Sequence, residues 1–175
     1  GPMQGRQAAM TLARKAGEML AAAAGPRIAV LEMGGWDTHA NQMNPNGALA
    51  NNLRTLDAAL AALRDSLGGA WKHSVCLVAT EFGREVAVNG TMGSDHGTGG
   101  AAFVLGGAVA GGRVITDWPG LSKAQRFEGR DLRATTDLRA VMKGVLADHL
   151  KLATAAIENT VLPGSAAVKK LSLLS

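Results

Sequence analysis

Asp37 and His39 sit two residues apart, just beyond an apolar run, in a chain with only four histidines and no tyrosine. Asp95 and His96 form a second acid–imidazole pair further on, and Glu81 and Arg84 fall between the two. Imidazole and carboxylate together make a donor set for a divalent transition metal. Zinc fits best, with manganese or iron as alternatives, whereas an all-carboxylate set would suit magnesium or calcium. An extended backbone would point Asp37 and His39 the same way. It would point adjacent Asp95 and His96 apart, so that one binds metal and the other supports a ligand from behind. Each residue also has a plainer reading. Asp37 can cap a turn, His39 can be a solvated loop histidine, Glu81 can pair with Arg84 three residues on, and Asp95-His96-Gly97 can be an ordinary turn. Glu32 lies inside the apolar run and is not a candidate ligand. His73, ahead of an apolar run, and His149, near a helix C-terminus, read as structural or surface groups.

The elements that must position these residues follow from apolar spacing. Residues 4–24 repeat apolar positions every three or four residues and predict a helix stopped by Gly25-Pro26. RIAVLEM (27–33) reads as a buried strand running into the loop that holds Asp37 and His39. Asn46 is placed to cap a second helix, in which Leu49, Leu53, Leu56, Leu60, Leu63 and Leu67 form one stripe for packing against a sheet. Gly68-Gly69 ends it. SVCLVAT (74–80), AAFVLGG (101–107) and GRVIT (112–116) read as further strands, and 81–100 is a Gly-rich polar loop long enough to suggest function. Thr136 is placed to cap a last helix running to Leu150; Pro163-Gly164 marks a turn, and AAVKKLSLL (166–174) is a short helix or strand. Helices alternating with apolar runs predict an α/β layered domain, its mostly parallel sheet flanked by helices and its polar clusters beyond the strand ends.

Composition bounds the alternatives. The chain has 175 residues, 47% of them apolar and 18% charged, which suits one globular domain with a core of its own. The net charge of +4 is scattered rather than gathered into a basic block with aromatics, which argues against specific nucleic-acid binding. The single Cys76 excludes an intramolecular disulfide and lies in an apolar run, as a buried thiol would. Gly25, Pro26 and Arg27 break the longest apolar stretch, so neither a signal peptide nor a membrane span is expected. Gly1-Pro2-Met3 reads as a scar of tag cleavage, with residues 4–175 as one domain.

The motifs GGWDTHANQ, TEFGRE, SDHGTGGAAFVLGGAVAGG, DWPGL and TTDLRAVMKGVLADHL occur in this order. Together, over about residues 27 to 164, they resemble the C-terminal half of an uncharacterised sulfatase-like domain-of-unknown-function family in the alkaline phosphatase superfamily. The resemblance implies a two-metal hydrolase of small-molecule phosphate or sulfate esters. It implies that Asp37, His39 and His96 hold one metal, and that Glu81 fits the acid of a second site in which Phe82 stands in place of an imidazole. That superfamily draws its nucleophile from an N-terminal half that is not matched here, so the resemblance implies a truncated domain; full-length relatives are often exported. Chemistry would then proceed by attack of a metal-activated water, with Glu81 or Asp95 as general base and Arg84 stabilising the ester's equatorial oxygens. The competing expectations are a non-catalytic metal-binding fragment, as a homodimer that covers its apolar surface, and an interaction module using the Leu-rich helix.

Overall fold

In the computed structural model, which describes residues 2–175, the apolar periodicity of the first seventy residues produces two helices, α1 (Pro2–Ala21) and α2 (Ala48–Leu67). They belong to the first of two compact units, which comprises the chain up to Trp71 together with Ala87–Asp95. Ala13 and Ala16 of α1 and Ala59, Ala62, Leu63 and Leu67 of α2 are buried. A Cβ on Gly17 would lie 1.9 Å from the Ser66 hydroxyl and 3.0 Å from the Leu63 carbonyl oxygen, so the absence of a side chain lets the helices approach closely. Leu12 shares a cleft with Asn52 and Thr55, while Glu18 shares one with Asp65 and Ser66. The helices therefore run in the same direction. A parallel pair obliges the chain to travel back along the helix length, roughly 30 Å for twenty residues, and residues 22–47 make that return. The return segment carries Asp37 and His39.

Three expectations for this unit are corrected. The partner of α2 is α1 and not a sheet, and the leucine stripe is only partly covered, with Leu53 49% exposed. Gly47, not Asn46, precedes the first turn of α2; Gly68 ends it as anticipated. Residues 28–39 form no strand, and Ile28 and Val30 are exposed. An apolar run favours extended backbone, but only a neighbour that supplies a ladder makes it a strand.

The second unit comprises Lys72–Val86 and His96–Ser175. Its β1 (Cys76–Val78) pairs antiparallel with β4 (Phe103–Leu105), Leu77 opposite Val104. Inside that pair, β2 (Gly83–Arg84) runs antiparallel to β3 (His96–Gly97), Arg84 opposite His96. The layered, mostly parallel sheet flanked by helices is thereby overturned: the sheets among the described residues are two small antiparallel pairs. The reason is connectivity. The segment from β1 to β4 runs out and doubles back, which fixes an antiparallel sense, whereas parallel neighbours need a crossover. GRVIT (112–116) forms no strand either; Val114 is exposed, and Arg113 is held by the carbonyls of Ala110 and Ser172.

The C-terminal helix starts one residue later than expected. Asp137 caps α3 (Leu138–Gly144) by accepting from Arg139 N, and a wider turn over Val145–His149 continues it. The hydrogen bonds to Arg139 hold the Asp137 carboxyl below the usual aspartate range. A short α4 (Thr154–Ala156) follows and leads into a second wide turn, Ile157–Val161. Ala140, Val141, Ile157 and Leu173 form the local core. Lys143 is buried among them and donates to Glu158 (2.6 Å) and to the carbonyls of Ser165 (2.6 Å) and Val168 (2.9 Å), which use all three ammonium protons. Pro163-Gly164 forms the expected turn, while 166–174 is irregular, with a single bridge from Leu174 to Val109. No helix among the described residues is long and apolar enough to cross a membrane.

Candidate metal centre

The return segment is tied down before it reaches the candidate ligands. Asn52 of α2 donates from Nδ2 to the Gly35 carbonyl at 2.5 Å. Thr38 N then bonds to Trp36 O at 3.0 Å, closing a three-residue turn centred on Asp37. Thr38 is buried while Asp37 and His39 on either side are exposed. This tight turn, not the extended strand of the sequence reading, brings the Asp37 and His39 side chains to one side.

A second segment docks on the first. Asn41 N bonds to Thr91 O, Gln42 N to Met92 O and Ser94 N to Thr38 O. The Gln42 side-chain oxygen accepts from both the Thr38 and Ser94 hydroxyls, at 2.8 and 2.7 Å. The contact is backbone on backbone at Gly93, where a Cβ would meet the His39 carbonyl carbon at 2.1 Å. The docking delivers Asp95 to His39.

The His39 ring lies between two carboxylates. Asp37 Oδ1 is 3.0 Å from Nε2 and Asp95 Oδ1 is 3.0 Å from Nδ1, with each of these side chains about half exposed. Asp95 Oδ1 also accepts from Asn89 Nδ2 at 3.0 Å. His96, the next residue, stands at the start of β3. Its ring packs on Phe82 with centroids 4.3 Å apart, and the Arg84 guanidinium lies over the same phenyl ring at 5.4 Å. Arg130 donates from Nη2 to the His96 carbonyl at 2.6 Å.

Ligand-capable atoms of Asp37, His39 and His96 all lie within 4.8 Å of one another, and all three residues are exposed. This group can hold a metal ion. One carboxylate and two imidazoles match the nitrogen and oxygen donors that zinc takes, and three protein ligands leave a coordination position open. Two ligands about 2.0–2.1 Å from one tetrahedral ion lie roughly 3.3 Å apart. The 3.0 Å between Asp37 Oδ1 and His39 Nε2 is close to that. Asp95 stands on the opposite ring nitrogen, where an outer carboxylate fixes the tautomer of a ligating histidine.

The sequence-predicted residues thus divide. Asp37, His39 and His96 form the group that could hold a metal ion, and Asp95 contacts it through His39. Arg84 reaches His96 through Phe82. Glu81 is exposed in the turn before β2 and is not a member of the ligand group. Asp37, His39 and Asp95 lie on loops and His96 opens β3, so none of them stands beyond the end of a parallel strand. Asn89 and Gln42 were missed; the sequence signal for the first was the Asn89-Gly90 dipeptide, which marks a turn but not a partner for a carboxylate. Cys76 lies in β1, away from these residues in sequence, and burial pushes its thiol up.

No curated protein and no solved structure matches the chain. A family model does match, over residues 2–160, and its description is "Protein of unknown function (DUF1501)". That match overturns the resemblance to a sulfatase-like family of the alkaline phosphatase superfamily: DUF1501 is a distinct, uncharacterised family. The matched region spans nearly the whole chain and contains every residue of the candidate site, and the chain belongs to the DUF1501 family of unknown function.

Proposed function

We propose that this protein is a metal-dependent hydrolase of phosphate or sulfate esters, with Asp37, His39 and His96 as ligands of one divalent transition metal. Zinc is the first expectation and manganese the second. The observation that carries the reading is the convergence of those three donors within 4.8 Å, with Asp95 on the far nitrogen of His39. An ion held there would act as a Lewis acid and lower the pKa of a coordinated water. The protein's own groups supply the rest. Asp95 keeps the His39 ring in the orientation that turns Nε2 toward Asp37. Phe82 backs the His96 ring, and Arg84 brings a planar cation to the same side, suited to the non-bridging oxygens of an anionic ester. With Asp95 engaged by two donors, Glu81 remains the candidate general base.

A second reading, non-catalytic metal binding, is favoured by exposure. The Asp37 and His39 side chains are 48% and 47% accessible, and a hydrolytic site gains from excluding water. Elemental analysis and a zinc titration test the common part of both readings. Rates on phosphate mono-, di- and triesters and sulfate esters, with chelator controls and the D37A and H96A variants, separate them. Metal-dependent turnover lost in both variants is the expected result. Turnover that survives both substitutions refutes the catalytic assignment, and a protein that takes up no transition metal refutes both readings.

A further inference from the structure

The structure assigns Asn89 as the positioning residue that sets the orientation of His39 through Asp95; the inference rests on the metal-site reading above. Asn89 uses its whole side chain. Its Oδ1 accepts from Thr91 N (3.0 Å) and Gly93 N (2.9 Å). Its Nδ2 donates to Asp95 Oδ1 (3.0 Å) and to the His39 carbonyl (2.9 Å). The amide orientation is forced by chemistry. Backbone N–H groups can only donate, so the atom facing Thr91 N and Gly93 N is the oxygen. The atom facing a carboxylate and a carbonyl, which accept, is therefore the nitrogen.

Two consequences follow for His39. Its main chain is gripped from one side, because its carbonyl accepts from Asn89 Nδ2 and also from the Thr91 hydroxyl at 2.6 Å. Its ring is gripped from the other, because the oxygen that receives His39 Nδ1 is the one held by Asn89. Without the Asn89 donor, the half-exposed Asp95 carboxylate loses one of the groups that fix its position. The His39 ring then loses a fixed partner at Nδ1 and with it the orientation that turns Nε2 toward Asp37. Partners of ligating histidines commonly change metal affinity by about 10–100-fold when removed. One side chain thus joins the turn that shapes the loop to the group that orients the ligand.

These two roles are separable. Asn89→Ser keeps a hydroxyl oxygen as acceptor for the Thr91–Gly93 turn but is too short to reach Asp95. Asn89→Asp keeps the shape and the acceptor oxygen but has no donor, and it guards against a serine variant that does not fold. The readouts are the three-bond couplings that report the His39 side-chain rotamer in the metal-free protein, zinc affinity by chelator competition, and the melting temperature. Wild type should hold one rotamer; both variants should average over several while still melting cooperatively, and Asn89→Ser should bind zinc about 10–100-fold more weakly. A folded variant whose His39 keeps the wild-type rotamer overturns the assignment, as does Asn89→Ser with wild-type zinc affinity. If wild type takes up no zinc, the metal reading fails, and the rotamer measurement still decides whether Asn89 positions His39.

Discussion

Substituting Gly93 by alanine should disrupt the candidate site from outside its ligand set. A Cβ at that position would sit 2.1 Å from the His39 carbonyl carbon, 2.2 Å from its oxygen and 2.5 Å from Ala40 N. All three are backbone atoms, so no rotamer change relieves the clash; one segment must move by roughly 1 Å to restore ordinary contact. That movement acts on the peptide whose oxygen accepts from Asn89 and Thr91. Two hydrogen bonds at about 0.5–1.5 kcal/mol each put the loss near 2 kcal/mol. For a chain of this length that is roughly 4–8 °C in melting temperature. Zinc affinity should fall as well, because Asp95 reaches His39 only when the two segments are docked. The control lies in the same loop. A Cβ on Gly90 meets nothing within 4 Å, so Gly90→Ala should leave both quantities near wild type. Thermal denaturation and chelator competition on the two variants measure the contrast. Equal behaviour of Gly93→Ala and Gly90→Ala would refute the claim that backbone docking at His39 builds the site.

Other expectations concern the second unit. Lys143→Ala removes the donor shared by Glu158 and two carbonyls and should cost about 3 kcal/mol, the low end for a broken buried pair because Glu158 keeps some water contact; urea denaturation checks it. Asp137→Ala should destabilise α3 at neutral pH and cease to matter in acid. The folded carboxyl titrates below its unfolded value, so its contribution is present above the ordinary aspartate pKa and disappears as pH falls through the folded one. Paired melts of wild type and variant across that range test the sign: a difference that persists undiminished in strong acid contradicts it. Cys76 should alkylate more slowly than an unhindered thiol at neutral pH, gaining rate only at pH above the usual cysteine range, since burial raises its pKa. A rate matching that of a short cysteine peptide would show the thiol to be open.

Helix content was legible because it is written locally. The stripe at Leu56, Leu60, Leu63 and Leu67 specifies a helix whatever it packs against, and Gly68 ends it for backbone reasons. Pairing was not legible. RIAVLEM and GRVIT have strand composition, yet neither finds a ladder, because a strand depends on a neighbour that its own residues do not encode. β1 and β4 are strands for the converse reason: the chain between them turns back and aligns them. The candidate ligands were visible from residue type alone, since few side chains bind transition metals and this chain places them in two clusters.

By itself, then, the sequence determined the helices, the turn at Pro163-Gly164 and the donors Asp37, His39 and His96 as a chemically coherent set. Tertiary structure decided how they meet. It replaced a parallel sheet by antiparallel pairs, and an extended strand end by a tight turn centred on Asp37. It gave Asp95 to His39 as an outer partner and brought Asn89 in behind it. These choices rest on contacts between residues some fifty positions apart, such as Asn89 with the His39 carbonyl. Local propensity cannot encode such contacts, because their free energy exists only once the two loops are docked.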